Sequence, residues 1–459
     1  MAAFPRATVL LAVLVITSCT GASTPSEGAS STAPSSGGDA MRTPVDPRYQ
    51  VELTSDGHGR TWRGRLTVTF ENGRPEPLRR IWFRLWGNGS DGCASQAVEV
   101  TDVVGGLAGP LRVGCTALPV VLDGPVDSGA RATVSMRVRL RLPMRNDRFG
   151  IAQGMALAGN ALPVLAVSDD RGWQLEPFVP FGESFYSVVG DYRVRLRTPA
   201  GLGVATTGTA ISTADVGGVR TTVFAADRVR DFAWAASPTF ASVSRPVAGT
   251  RVRVWYRPEL YPPAEAHRSL AHAADGMRRF VAAFGPYPYP EVDVILAAFE
   301  GYGGMEYPQI VFTDPPRTTV LHELAHQWWY GLVGNDEYAE PWLDEGFATW
   351  SQFLPGNPPF CDGFEFRRPS DRLDAGMGYW VRHRDTYGRT VYGGGACMLA
   401  ALDAQLGHQV FLDLLRDYAI ANRFGVVRGE DFFSAVERVA AERSPDLDLG
   451  AFWRQWRVG

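Results

Sequence analysis

From Tyr49 to about Val247 the apolar and polar positions of this chain alternate with a period of two. Leu66, Val68 and Phe70 alternate with Arg65, Thr67 and Thr69. Val134, Met136, Val138, Leu140 and Leu142 alternate with Ser135, Arg137, Arg139 and Arg141, and Tyr192, Val194 and Leu196 with Arg193, Arg195 and Arg197. Each run turns one apolar face inward and one polar face to solvent, and Gly, Pro, Asp and Asn punctuate the turns between runs. Many short antiparallel strands over about two hundred residues predict a β-sandwich or a saddle-shaped sheet for residues 47–248.

Near Thr250 the pattern changes. Val252, Val254 and Tyr256 form one last alternating strand, and Pro263 to Phe284 then reads as a helix with Leu270, Ala273, Met277 and Val281 on one stripe. Short buried strands are expected at Val292 to Ala297 and at Gln309 to Phe312, followed by an apolar-periodic helix from Val320 to Trp329. Helices are expected at Pro341 to Phe353, Tyr392 to Leu406, Val410 to Ala421 and Glu430 to Ala441, with Phe452, Trp453 and Trp456 closing a last amphipathic turn. The whole is an α+β multidomain chain: a β-sheet domain over 47–248, then a mixed α/β and finally helical domain over 249–459.

Composition narrows the class. A chain of 459 residues that is 45% hydrophobic and 11% aromatic can build two or three domains with substantial cores. A formal net charge of −4 gives no bulk attraction for nucleic acid, so no such partner is expected. All 45 basic residues are Arg, which reflects a GC-rich coding sequence rather than a recognition surface.

The start of the chain reads as a processing signal. Arg6 precedes an apolar run, Ala7 to Ile16, that is too short to span a bilayer as a helix. The run ends in Ile16-Thr17-Ser18-Cys19, which resembles a bacterial lipobox, and that resemblance implies cleavage after residue 18 and lipidation of Cys19. Residues 1–19 are therefore expected to be a lipoprotein-type signal, and 20–46, rich in Ser, Gly, Thr, Ala and Pro, a flexible tether. The folded part is expected outside the cytoplasm, held to the membrane by its lipid or, alternatively, secreted. Four further cysteines, Cys93, Cys115, Cys361 and Cys397, suit an oxidising compartment. Of three possible pairings, proximity favours Cys93 with Cys115 and Cys361 with Cys397.

The candidate chemistry centres on His322-Glu323-Leu324-Ala325-His326 and Glu345. On a helix, His322 and His326 lie one turn apart on one face, so both imidazoles reach one metal ion. The stretch up to Glu345 is long enough for that helix to end, a loop to turn and a second helix to bring in a carboxylate as third ligand. Two His and one Glu leave the fourth position of a tetrahedral zinc ion open for water, the catalytic arrangement.

Several motifs together resemble the aminopeptidase N family of zinc metallopeptidases (gluzincins). They are His322 to Trp329, Trp342 to Ala348, Gly303-Gly304-Met305-Glu306-Tyr307, and Val391 to Ala396, and their order agrees across about Gly301 to Gly407. The resemblance implies a thermolysin-like catalytic domain with one zinc ion on His322, His326 and Glu345. It implies Glu323 as general acid and base, Tyr392 as donor to the oxyanion, and Gly303, Gly304, Met305 and Glu306 as the substrate-binding segment. Glu306 would take the free α-amino group of a peptide, and the two glycines would admit its backbone. The side chains of Met305, Trp328, Trp329 and Trp342 are expected in the core.

The chain also departs from the family pattern. Tyr307 stands where Asn is usual, and Asp344 replaces the Asn before the third ligand. The Pro-x-Phe-Asp-Glu-Pro segment is not found, and Pro180 to Ser184, with Glu183 as a possible acidic group, is the nearest candidate. The sequence ends at Gly459, ahead of the family's C-terminal helical domain, which would make this a short form with a more open cleft. The expected function is a zinc aminopeptidase acting on peptides at the cell envelope. The alternatives are a zinc endopeptidase with an open cleft and a catalytically silent surface scaffold.

Overall fold

The Val45–Ser55 strand turns Tyr49, Val51 and Leu53 inward and the residues between them outward, as its alternation predicts. It lies at the centre of a seven-stranded sheet in the computed structural model, which describes residues 42–459. Across that sheet the order is Thr209–Val216, Val219–Val229, Gly190–Pro199, Val45–Ser55, Thr61–Glu71, Arg131–Arg141 and Val98–Val104. The signal over 1–19, Cys19 and the tether up to residue 41 lie outside the described residues.

Two expectations need correction here. The sheet is not wholly antiparallel: Val45–Ser55 runs parallel to Gly190–Pro199, with Val51 opposite Val194 and Leu53 opposite Leu196. The tether also cannot extend to residue 46, because Arg42 and Thr43 are already buried and Thr43 pairs with Ser168 through both backbone groups. Two four-stranded sheets and a two-stranded ribbon complete the strand-rich half. Ile81, Phe83 and Val120 from one of them share a core with Leu66, Val68 and Phe70 of the large sheet, which is sandwich packing.

A second, five-stranded sheet has the order Ala241–Val247, Thr250–Tyr256, Glu291–Leu296, Ile310–Thr313 and Gly304–Met305. The first two form a hairpin, so the boundary expected between 248 and 249 falls in its turn, and both strands belong with the zinc-motif half. All of Glu291–Leu296 is buried, because both faces of this sheet are covered. One cover is helix α1 (Pro263–Phe284), which begins on Pro263 and Glu265 and stops at Gly285, whose φ of +97° an L-residue would resist. Leu270, Ala273, Met277 and Phe280 make its buried face.

The remaining elements are helical: α2 (Arg317–Ala325), α3 (Trp342–Ser351), the short α4 (Met377–Trp380) and α5 (Arg384–Tyr387), a π-helical turn over Gly388–Gly394, α6 (Gly395–Leu406), α7 (His408–Ala421), α8 (Gly429–Arg443) and α9 (Leu449–Trp456). Tyr392 therefore sits in a π turn and not in the α-helix expected from Tyr392 onward. The described residues belong to one compact unit. Arginines stitch its two halves together: buried Arg230 donates to Tyr330 O at 2.6 Å, and Arg171 pairs with Asp336 at 2.8 Å. Both favoured disulfides, Cys93–Cys115 and Cys361–Cys397, are formed.

Candidate active site

Helix α2 carries His322 and Glu323, and His326 continues its right-handed conformation at the C-terminal end. There the helix stops. Buried Gln327 turns into the next layer, where its Oε1 accepts from the Tyr287 hydroxyl and the Gln309 amide, both at 2.8 Å, and its Nε2 donates to Tyr307 O at 3.0 Å. One side chain thus ties the end of the histidine helix to the segment carrying Glu306.

Helix α3 brings Glu345 against the two histidines. The Nε2 atoms of His322 and His326 are 3.2 Å apart, and Glu345 Oε2 lies 3.1 Å from the first and 3.5 Å from the second. Ligand atoms about 2.0–2.1 Å from a tetrahedral ion are roughly 3.3 Å from each other, so this donor set fits one zinc ion. The ring orientation agrees. His326 Nδ1 donates to Trp329 O at 2.9 Å, which leaves its Nε2 lone pair facing the shared point.

Two glycines set the next contact. A Cβ on Gly346 would lie 2.9 Å from Gly395 Cα, and one on Gly395 would lie 2.7 Å from Gly346 Cα. Helices α3 and α6 therefore cross backbone to backbone, and the π turn before α6 places the Tyr392 hydroxyl 2.6 Å from Glu345 Oε1, to which it donates. The rings of Tyr392 and His322 stack at 5.9 Å.

The segment before α2 alternates like an extended chain. Gly304 and Glu306 face a cleft of about 830 Å³ that also holds His322, Glu323, His326 and Glu345. Met305 and Tyr307, each 2% exposed, face the opposite way into a core with Ile295 and Phe312. Met305 thus has its side chain in the core, as expected, and its inclusion among the substrate-binding residues is corrected. Tyr307 does not line the cleft either: its hydroxyl donates to Asn160 Oδ1 at 2.7 Å, and Asn160 in turn donates to Asp231 at 3.1 Å.

The role expected of the two glycines also changes. A Cβ on Gly304 would lie 2.5 Å from both Glu323 Cδ and Phe312 O, and one on Gly303 would lie 2.7 Å from Thr319 Cγ2. The missing side chains first make room for α2 and for Glu323 itself.

The cleft is rich in carboxylates. Ligand-capable oxygens of Glu183, Glu306 and Glu345 lie within 4.8 Å of one another, so the Pro180 to Ser184 segment does deliver an acid to the site. Arg148 donates to Glu183 Oε2 at 2.5 Å, with little of either side chain exposed. Burial, then the neighbouring Glu306 charge, push the Glu323 carboxyl well above its usual range. Burial likewise raises Glu306, against the opposing pull of His326. Burial acts in the same sense on Glu345, but the pull of the adjacent His322 and His326 outweighs it and holds that carboxyl well below its usual range. A dication beside these groups favours their ionised forms throughout.

No family model matches the chain. It is 29% identical to Aminopeptidase M1-A of Oryza sativa subsp. japonica over 227 residues, 42% of this chain and 26% of that protein. It is 28% identical to Aminopeptidase B of Rattus norvegicus over 217 residues, 40% of this chain and 33% of that protein. The matched region spans between a quarter and a third of these relatives. Among solved structures it is similar to an M1 zinc metallopeptidase from Deinococcus radiodurans, with a TM-score of 0.62 at 18% identity over 92% of this chain and 94% of that one. A two-domain M1 zinc metallopeptidase mutant bound to L-arginine aligns with a TM-score of 0.63 at 18% identity over 91% and 94%. The chain has the fold of the M1 zinc metallopeptidases.

Within that M1 fold the structure gathers His322, Glu323, His326, Glu345, Tyr392, Gly303, Gly304 and Glu306 around one cleft, as the motifs lead one to expect. Sequence reasoning missed Arg148, which sits in no motif and meets Glu183 only through the fold. It also missed the Gly346 and Gly395 crossing. The signal for that was a glycine beside a ligand, in Asp344-Glu345-Gly346, and a run of glycines after Tyr392.

Proposed function

We propose that this chain is a zinc-dependent aminopeptidase that removes N-terminal residues from peptides. The observation that carries the reading is the placement of the Glu306 and Glu183 carboxylates within 4.8 Å of Glu345, itself in the His322 and His326 donor set. A peptide's free ammonium group is the cation those two carboxylates would bind. Anchoring the α-amino group beside the metal donors places the first peptide bond, and no later one, at the reacting point.

His322, His326 and Glu345 would hold the ion, which when bound polarises the scissile carbonyl and makes its water acidic. Glu323, one residue from a ligand and inside the cleft, accepts the proton of the attacking water on its carboxylate and returns it to the leaving-group nitrogen. The Tyr392 phenol, now donating to Glu345 Oε1, is placed to donate to the negative charge that grows on the carbonyl oxygen. Arg148 offsets the charge of Glu183, so the carboxylates can crowd one cleft without expelling one another.

The test compares cleavage of peptides carrying free and acetylated N-termini by the purified protein, with Glu323→Gln and a chelator as controls. Stepwise shortening of free-amine peptides alone is expected, abolished by either control. Internal cuts in acetylated peptides would make the enzyme an endopeptidase and remove the role given to Glu306.

The reading includes lipid attachment at Cys19 and a place outside the cytoplasm, supported by the charge, apolar run and Ile-Thr-Ser-Cys ending of the first nineteen residues. Labelling with a fatty-acid analogue, lost in Cys19→Ser, tests it.

A further inference from the structure

The cations lining the cleft are few. Among the described residues, besides the two histidines of the metal donor set, they are Arg148 and Arg384, and Arg148 is committed to Glu183. Arg384, the first residue of α5, is exposed and has no carboxylate partner among the described residues. Its neighbour Asp385 is taken by Arg368 at 2.7 Å. The Arg384 guanidinium carbon instead rests 4.8 Å from the centre of the Phe181 ring. An arginine stacked on an aromatic face is held in place and keeps a planar fork of donors matched to a carboxylate.

Arg384 also stands at one end of a continuous row of rings. Phe181 meets Tyr387 at 5.5 Å, Tyr387 meets Tyr392 at 5.7 Å, and Tyr392 meets His322 at 5.9 Å. At the metal-donor end of this row lie Glu183 and Glu306, which suit an ammonium group. At the other end lies the Arg384 guanidinium, with no carboxylate partner among the described residues. A ligand with a cation at one end and a carboxylate at the other matches both, and an extended peptide advancing about 3.3–3.6 Å per residue follows the whole contour of the row in roughly six residues, and a straighter path in fewer.

We propose that Arg384 binds the C-terminal carboxylate of the substrate, so that the cleft reads both ends of a short free peptide. The inference rests on the aminopeptidase reading and adds the substrate class. Such an enzyme trims oligopeptides of a few residues and discriminates against peptides whose carboxylate is blocked or too distant.

The test uses matched tetrapeptides with a free or an amidated C-terminus. For the unmodified protein KM is expected to be about tenfold lower for the free acid, with kcat little changed, the effect of one partly exposed charge-assisted hydrogen bond. Arg384→Gln should raise KM for the free acid about tenfold and bring the two peptides together, and Arg384→Lys should restore part of the difference. Equal KM for the two peptides in the unmodified protein, or an Arg384→Gln loss of the same size for both, would overturn the proposal. Calorimetric binding of the same pair to the Glu323→Gln protein makes the comparison without turnover. Absence of hydrolysis with a tenfold preference for the free acid in binding would then count against the aminopeptidase reading alone.

Discussion

The hydroxyl of Tyr392 donates to Oε1 of Glu345 at 2.6 Å, while Oε2 of the same carboxylate faces both histidines. One carboxylate thereby joins the residue meant to stabilise the reaction's charge to the residues meant to hold the metal. Tyr392→Phe should lower kcat by roughly 10²–10³. It also removes a hydrogen bond from a ligand, so zinc affinity should fall by about tenfold or more. Turnover at saturating zinc, measured beside chelator competition, separates the two effects, and a loss restored fully by added zinc would deny Tyr392 a part in the chemistry.

Glu183 and Arg148 predict a split between binding and stability. Glu183→Gln removes one of two carboxylates from the proposed amine site, so KM for free-amine peptides should rise while kcat changes less. It also strands a buried guanidinium, which costs about 3–5 kcal/mol where one partner of a buried pair is deleted. Denaturant midpoints read that cost. Unchanged stability would mean that Arg148 finds another partner in the cleft.

The crossing of α3 and α6 makes Gly346 a sensitive position, although it does not line the cleft. In Gly346→Ala the new Cβ meets Gly395 Cα at 2.9 Å, and the three atoms nearest to it are all backbone. The helices must separate, at about 1–3 kcal/mol, and Tyr392 must move away from Glu345. Activity should fall further than that stability loss explains, as kinetics and thermal melts on the same preparation would reveal.

Asp231 gives a pH dependence away from the metal donors. Burial pushes its carboxyl up to about 7, against hydrogen bonds from the Phe232 amide and Asn160. In the unfolded chain an aspartate titrates near 3.9, so the fold favours the protonated acid. That stability is fully present below about pH 4 and is lost as pH rises towards 7. Asp231→Asn cannot ionise, so its stability relative to the parent should increase between about pH 4 and pH 7, by at most about 1.4 kcal/mol per unit, and level off above that. Denaturant titrations across that range check it, and a difference that does not change with pH contradicts the assignment.

The metal donors were legible in the sequence because the helix period and one turn of chain place them: two histidines four apart and a carboxylate on the next helix are local facts. Glu306 and Tyr307 were half legible. Alternation tells that neighbours in an extended segment face opposite ways, but only the packed structure says that Gly304 and Glu306 take the cleft while Met305 and Tyr307 take the core. Arg148 was out of reach, since its partner Glu183 is brought to it by tertiary structure and no period links them. The hairpin that moves the domain boundary failed for a related reason. Thr250–Tyr256 alternates like the strands before it, and alternation does not say which sheet a strand joins.

The position of Val45–Ser55 bears on how the molecule is made. One side of this strand can be satisfied early, because Thr61–Glu71 follows it directly as an antiparallel neighbour. Its other side waits for Gly190–Pro199, the parallel partner supplied much later in the chain. Until that segment is synthesised, the strand at the centre of the finished sheet is an edge, with open backbone donors and acceptors beside an apolar face. Closing so long a loop is also slow compared with pairing local hairpins. Among the described residues the first strand in chain order is thus the one whose pairing is completed late, and a chain emerging N-terminus first depends on being kept from other chains during that interval.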